Sequence, residues 1–222
     1  MNDFVNLFSE NDPASISTAV QLLILMTVLT LAPSILILMT CFTRIIIILS
    51  FVRTSLATQQ MPPNQILIGL ALFLTFFIMA PTFYEVNDQA LQPLFNEEIE
   101  LEEAYEEASM PFKEFMAEHT RQKDLALFMD YAGVESPESL EDIPLTSLVP
   151  AFAISELKTA FQMGFMIFIP FLVIDMAVAS VLMSMGMMML PPVMISLPFK
   201  VLLFVIVDGW YLITHSVLES YI

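Results

Sequence analysis

The sequence is poor in cations, cysteine, glycine and histidine, and each shortage argues against a class of protein. Only seven Lys and Arg stand against 24 Asp and Glu, so the clustered cations of a nucleic-acid-binding protein are missing. A single cysteine excludes a disulfide scaffold. The five glycines form no phosphate-binding loop, and the two histidines lie far apart in sequence. We therefore expect no nucleotide hydrolysis, no metal site, no cofactor and no enzymatic activity.

Apolar residues are abundant in the sequence, and acidic residues are abundant in one stretch of it. Apolar residues make up 57% of the 222 residues, more than an ordinary soluble domain uses. Residues 84–150 hold 17 of the acids against three cations, a net charge of −14. The sequence therefore predicts an apolar body with an acidic insert. We expect N-terminal helices and a first hairpin over residues 1–83, the insert over 84–150, and a C-terminal hairpin over 151–222.

Long apolar runs predict the fold class. Each is too long for a strand, none shows sustained alternation, and each is long enough to cross a bilayer as a helix. The predicted class is an all-α membrane protein. The four runs are Val20–Phe42, Ile66–Phe83, Ala160–Leu190 and Val193–Leu218.

The few cations predict the orientation in the membrane. Arg44 and Arg53 flank the connection between the first two runs, and Lys200 follows the connection between the last two. Because cations near membrane helices stay on the cytoplasmic side, we expect the insert and both termini outside the cytoplasm. Residues 1–19 contain no cation, so a cleavable signal is not expected and the first helix is retained.

The insert carries helical patterns of its own. Glu97–Ala108 is a run of good helix formers, and Pro111 is expected to open a second helix, Phe112–Tyr131, which ends at Gly133. Apolar residues recur along that second helix at spacings of three and four, which indicates one buried face.

Charges inside and beside the apolar runs are candidate interface residues, because a charge in lipid needs a partner. We expect Asp175 to pair with a cation on a neighbouring helix, and we expect that neighbouring subunits can supply partners for Arg44 and Asp175. Asp175 and Asp208 also leave open an ion-coupled transporter or an intramembrane aspartyl protease, although Asp208 lacks the Gly-x-Gly-Asp arrangement of such proteases. The full set of candidate interface charges is Arg44, Arg53, Glu156, Lys158, Asp175, Lys200 and Asp208.

A methionine-rich stretch is the most unusual feature of the sequence. Six of the twelve residues from Met183 to Met194 are methionine, and the centre reads SMGMMMLPP. Gly186 allows a tight turn and the two prolines stop regular helix. Since methionine is apolar and adaptable, a turn of such side chains suits the closure of a hole. The residues that matter here are Met187, Met188 and Met189, with Gly186, Pro191 and Pro192 shaping the loop.

Two regions of the chain resemble the FliP family of flagellar type III export-gate subunits. The first is residues 39–83, which include TRIIIILSFVRTSLATQQMPPNQ, and the second is residues 149–210, which include SMGMMMLPP and VDGW. The chain is most similar to the version of the family found in bacilli, which lacks a signal peptide.

The resemblance implies a non-enzymatic role in the cytoplasmic membrane, at the flagellar basal body. It implies kinked helical hairpins that assemble with further copies into a ring, expected to be a pentamer. FliQ, FliR, FlhA and FlhB are the implied partners, membrane lipid surrounds the assembly, and unfolded flagellar subunits pass through it. The residues matching Met187, Met188 and Met189 are implied to form a gasket at the pore.

Overall fold

The computed structural model describes residues 13–58, 61–133, 137, 139–187 and 189–221. Every regular element in these ranges is helical, which confirms the all-α class. The chain divides into two units, Met1–Leu38 and Met39–Ile222. The prediction about a signal peptide rests on residues that lie largely outside those described.

The first unit contains one described helix, α1 (Pro13–Leu38). Its 26 residues extend about 39 Å, more than the hydrocarbon thickness of a bilayer. The first expected span therefore exists as a helix, but it ends at Leu38 and not at Phe42.

The second unit contains all the other described elements. A π-helical turn, Asn87–Leu91, lies between its third and fourth helices. In chain order its helices are α2 (Phe42–Ser55), α3 (Asn64–Ile78), α4 (Ala80–Val86), α5 (Gln92–Phe95), α6 (Leu101–His119), α7 (Gln122–Ala132), α8 (Leu145–Ser184), α9 (Pro192–Ile206) and α10 (Gly209–Glu219).

Helices α2 and α8 pack side by side and form the centre of this unit. Helix α2 buries one face, on which apolar side chains recur at spacings of three and four. The two helices come very close at Gly164, where a β-carbon would lie 2.5 Å from Cγ of Phe51. Only glycine fits there. The buried residues of α2 are Arg44, Ile45, Ile48, Leu49, Val52 and Ser55.

Helix α8 is longer than the sequence predicts. Its 40 residues extend about 60 Å, and it includes Pro150 and Pro170. We expected an apolar run from Ala160 to Leu190, but the helix begins at Leu145 and ends at Ser184. The helix therefore crosses the predicted boundary between insert and C-terminal hairpin.

Two further pairs of helices are sharply bent, as the resemblance implies. The α3–α4 segment is bent by 59° and the α9–α10 segment by 63°. By length and composition, α1 and α8 are able to cross a membrane, and each bent pair adds one further span if it crosses as a unit. The second expected span thus corresponds to α3 and α4, and the fourth to α9 and α10.

Residues 101–132 of the insert form two helices whose boundary differs from the prediction. Pro111 does not open a helix; it is buried within α6. The predicted helix Phe112–Tyr131 is divided where Thr120 and Arg121 take extended backbone angles. Gly133 does end the helix, with a φ of 66°. Burial of Met116 and Met129 against Leu148 and Phe152 joins the insert to α8 and outweighs the cost of a proline inside a helix.

Candidate functional site

The methionine turn, residues 185–191, joins α8 to α9. Gly186 adopts a φ of 75°, and the amides of Gly186 and Met187 donate to the carbonyls of Met183 and Leu182, each over 3.0 Å. This pair of bonds is the Schellman arrangement that ends a helix on a left-handed residue. Pro191 is extended, with a ψ of 115°, and Pro192 is the first residue of α9.

The methionine side chains of this turn do not pack into the unit. Met189 is 98% exposed and Met187 is 42% exposed, while Met183, Met185 and Met194 are also exposed. Met188 lies outside the described residues. A cluster of exposed thioether side chains is typical of a surface that contacts another molecule.

At the opposite end of α2 and α8 lies a buried polar cluster that we call the insert-end cluster. It consists of Arg44, Glu156, Ser220 and Tyr221. Nε of Arg44 donates to Glu156 over 3.0 Å, and a second guanidinium nitrogen donates to the other carboxylate oxygen. Nη1 of Arg44 donates to the carbonyl and hydroxyl oxygens of Ser220 over 3.0 and 2.9 Å.

Tyr221 completes the insert-end cluster from the C-terminal side. Its hydroxyl donates to Glu156, and the Arg44 guanidinium carbon lies 3.9 Å from the centre of its ring. The Tyr221 ring also contacts the insert. The Phe115 ring stacks on it with 6.0 Å between ring centres, and the centre of the His119 ring lies 4.9 Å away. Every charge in the cluster is thus paired and hydrogen-bonded, which a buried ion pair requires.

The structure places Arg44 apart from Arg53 and Lys200. We expected Arg44 and Arg53 to lie together on the cytoplasmic side, but Arg44 contacts the insert end through Tyr221. Lys200 instead lies at the other end of α2, where its Nζ donates to the carbonyl of Ser55 over 3.1 Å. Only Arg53 and Lys200 therefore remain as cations on the side away from the insert.

Asp175 and Lys200 form a second cluster, the mid-helix cluster, with Ser196. Nζ of Lys200 lies 2.6 Å from one oxygen of Asp175, and the Ser196 hydroxyl donates to the other oxygen over 2.5 Å. Lys200 is almost fully buried. Asp175 and Arg44 were expected to need partners from neighbouring subunits, but both have ionic partners within their own chain.

The remaining candidate charges are differently placed. Arg53 is half-buried and donates to the side-chain oxygen of Asn64. Lys158 and Asp208 are exposed, and neither has an ion pair within the described part of the chain. Both oxygens of Asp175 accept from Lys200 and Ser196.

A third polar cluster, which the sequence did not suggest, holds α7 against α8. Ser155 donates to Asp124 over 2.7 Å and accepts from the Arg121 amide over 3.1 Å, while the Arg121 side chain lies 2.5 Å from the same carboxylate. Burial acts to raise the pKa of Asp124, but the bonds from Ser155 and Arg121 outweigh it and hold that pKa below its ordinary value. Neither these residues nor Ser220 and Tyr221 belong to a sequence motif that singles them out.

The described residues contain no group of three His, Cys, Asp or Glu side chains arranged to hold a metal ion. The charges described above serve to join helices, and the methionine turn offers an apolar surface. The arrangement is therefore suited to assembly and to contact with other chains.

Comparison with known proteins gives the family. The sequence model of the FliP family matches residues 25–217. The chain is 74% identical to the flagellar biosynthetic protein FliP of Bacillus subtilis over 221 residues, covering the whole of both chains. It is 55% identical to the Caulobacter vibrioides protein of that name, covering 91% of this chain and 76% of the relative. For the Pectobacterium carotovorum protein the identity is 52%, over 95% and 82%. With a family match over most of its length and relatives of this similarity, the chain belongs to the FliP family.

Proposed function

We propose that this chain is a channel-forming subunit of the flagellar type III export gate in the cytoplasmic membrane. Several copies, five by the resemblance, form a ring with FliQ and FliR, next to FlhA and FlhB, and unfolded flagellar subunits pass through it. Membership of the FliP family and the apolar helices that suit a membrane support this role. Other components supply the energy.

The observation that carries the proposal is the methionine turn. The described methionine side chains of this turn are exposed, and Met189 almost fully so. An isolated subunit gains nothing from such a surface, because exposed apolar groups in water cost free energy. When several copies bring their turns together, the same side chains cover one another and close the space between them.

Methionine suits a seal that has to open for a passing chain. The side chain is unbranched and has three rotatable bonds, so it fills irregular gaps and moves aside at little cost. A narrow apolar ring also holds back ions by dewetting. Met187, Met188 and Met189 therefore act as the gasket, with Gly186, Pro191 and Pro192 fixing the backbone behind them.

The insert lies outside the cytoplasm in this proposal. Arg53 and Lys200 lie at the end of α2 away from the insert, and the positive-inside rule holds that end on the cytoplasmic side. A cysteine placed at Asn96 in a Cys41→Ser background is expected to react with an impermeant maleimide in intact cells. Labelling of Asn96→Cys only after lysis contradicts this orientation.

A replacement series at the methionine turn tests the gasket. Met187, Met188 and Met189 are changed together to Ala, and in a matched variant together to Leu, each expressed with the partner proteins. The Ala variant is expected to assemble and to make cells leaky to small ions, because the narrowest ring widens. The Leu variant keeps the bulk and is expected to hold ions back while slowing export, since leucine is branched and less adaptable. An Ala variant that assembles, exports normally and conducts no ions contradicts the proposal.

A further inference from the structure

Asp208 is a charged residue on an otherwise apolar exposed surface. It lies at the bend between α9 and α10, within a segment apolar enough to cross a membrane. Val205, Ile206 and Tyr211 around it are 68, 72 and 62% exposed. Asp208 itself is exposed and forms no ion pair within the described residues. A short side chain cannot reach the membrane surface as lysine does, so this carboxylate needs a cation from outside its own chain.

The backbone holds Asp208 in this position. Asp208 adopts φ 52° and ψ 57°, a left-handed conformation that is uncommon for residues other than glycine. The bend is closely packed. A β-carbon on Gly209 would lie 2.3 Å from the Phe204 ring, and the Trp210 ring packs edge-on against that ring with 5.2 Å between ring centres. The backbone and this packing therefore fix the position of Asp208 on the bend.

Two cations of the apolar body lack an acidic partner in the described chain, Arg53 and Lys158. The two cations lie at different positions along the length of α2 and α8. Arg53 is two residues from Ser55, which accepts from Lys200, whereas Lys158 is two residues from Glu156 in the insert-end cluster. Asp208 lies eight positions after Lys200, which bonds near Arg53, and thirteen positions before Tyr221, which lies in the insert-end cluster beside Glu156. Arg53 therefore lies closer to the level of Asp208.

We propose that Asp208 forms the contact between neighbouring copies of this chain, and that it pairs with Arg53 of the next copy. In the proposed ring this contact is head-to-tail, so that the face carrying Asp208 meets the face of its neighbour that carries Arg53. Repetition of such a contact closes a ring when the rotation between copies fits. The exposed apolar residues around Asp208 surround the ion pair and exclude water from it. This inference rests on the proposed function in that it takes the chain to act as a membrane oligomer.

Cross-linking between copies tests the geometry without removing either charge. Thr54 and Val207, the neighbours of the two charged residues, are changed to Cys in a Cys41→Ser background and oxidised in membranes. Dimers and larger species linked between chains are expected on non-reducing gels. The matched control pairs Leu157→Cys with Val207→Cys, next to Lys158, and is expected to give at least fivefold less product. Cross-linking that is absent from the first pair, or stronger in the control, overturns the pairing with Arg53.

Charge removal tests the ion pair itself. Asp208→Asn keeps a side chain that tolerates the left-handed backbone and removes only the charge, and it is expected to lower the assembled fraction at least fivefold. Arg53→Gln is expected to cause a similar loss, and the double variant Arg53→Gln with Asp208→Asn is expected to lose no more than either single change, while Lys158→Gln alone leaves assembly unchanged. Normal assembly of Asp208→Asn, or a double variant in which the two losses add, overturns the proposal. Because assembly and cross-linking are measured apart from ion leakage, this inference and the gasket succeed or fail separately.

Discussion

The two ends of the second unit, Met39–Ile222, differ in how many contacts their side chains make within the chain. At the insert end, Arg44 and Glu156 are buried, paired in two places and closed off by Ser220 and Tyr221. At the other end, the described methionine side chains of the turn, those of Met185, Met187 and Met189, are exposed. Side chains at the insert end contact one another within the chain, whereas those of the methionine turn are available to contact another molecule.

This difference separates stability from function along one molecule. A buried ion pair is rigid because losing either partner leaves a charge in a low-dielectric environment. Exposed methionines contribute little to the fold of the subunit and are free to rearrange. We therefore expect substitutions at the insert end to unfold or misassemble the protein, and substitutions at the methionine turn to change what passes through it.

The largest effect is expected from Glu156→Gln at the insert end. The change leaves the Arg44 guanidinium buried without a counter-charge, which costs about 3–5 kcal/mol. Unfolding of the detergent-solubilised protein, followed by circular dichroism, measures the loss. Glu219→Gln is the matched control, because Glu219 is exposed and pairs only with His215, and it is expected to cost less than about 1 kcal/mol. Equal stability of the two variants contradicts the role assigned to the insert-end cluster.

A smaller loss is expected from Asp175→Asn in the mid-helix cluster. Lys200 loses its counter-charge but keeps the Ser55 carbonyl, and Asp175 is 20% exposed, so the cost is about 1.5–3 kcal/mol. The same unfolding assay ranks the two clusters. Adding Lys200→Met removes the stranded cation as well and is expected to recover part of the loss. A double variant that is less stable than Asp175→Asn alone contradicts this account of the pair.

A pH-dependent effect is expected from Asp124→Asn in the insert. The folded-state pKa of Asp124 is lowered, so the ionised carboxylate stabilises the fold above its unfolded pKa, and this stabilisation is lost as pH falls through the folded pKa. The variant is expected to be about 1 kcal/mol less stable than the parent at pH 7, with the difference shrinking below about pH 4. Melting temperatures at pH 7 and at acidic pH give the comparison. A difference that grows on acidification contradicts the assignment.

The smallest effect on stability is expected at the methionine turn. Changing Met187 and Met189 to Ala removes side chains that make few contacts within the subunit, so the cost is expected to stay within about 0.5 kcal/mol. The unfolding assay used for Glu156→Gln applies unchanged. A loss of several kcal/mol shows that these side chains belong to the core of the subunit, and the contrast between the two ends then fails.

Much of the helical architecture follows from the sequence, because long apolar runs permit little else. The class, the four apolar segments and the stop at Gly133 are examples. The sequence does not reveal that a helix continues through Pro111 or Pro150, since burial against neighbouring helices decides whether the cost of a proline is met. The positions at which helices end depend on the same tertiary packing, as the division at Thr120 shows.

The sequence predicts several residues of the candidate site but not which of them contact one another. Gly186 and the two prolines do shape the methionine turn, as local backbone preferences indicate. Arg44 finds Glu156 112 positions away and Ser220 176 positions away, and no local pattern contains that information. Ser220 and Tyr221 carry no motif, so their role becomes visible only when the tertiary packing brings them to Arg44.

The central claim is that the methionine turn lines the path of the exported chain. The most direct test places the photo-reactive residue benzoylphenylalanine at Met189 and irradiates cells in which a flagellar export substrate is stalled in the gate. A covalent adduct between this chain and the substrate is expected. The same residue at Phe73, a side chain on α3 that is also largely exposed, is expected to give no such adduct. Substrate adducts at Phe73 but not at Met189 contradict the account.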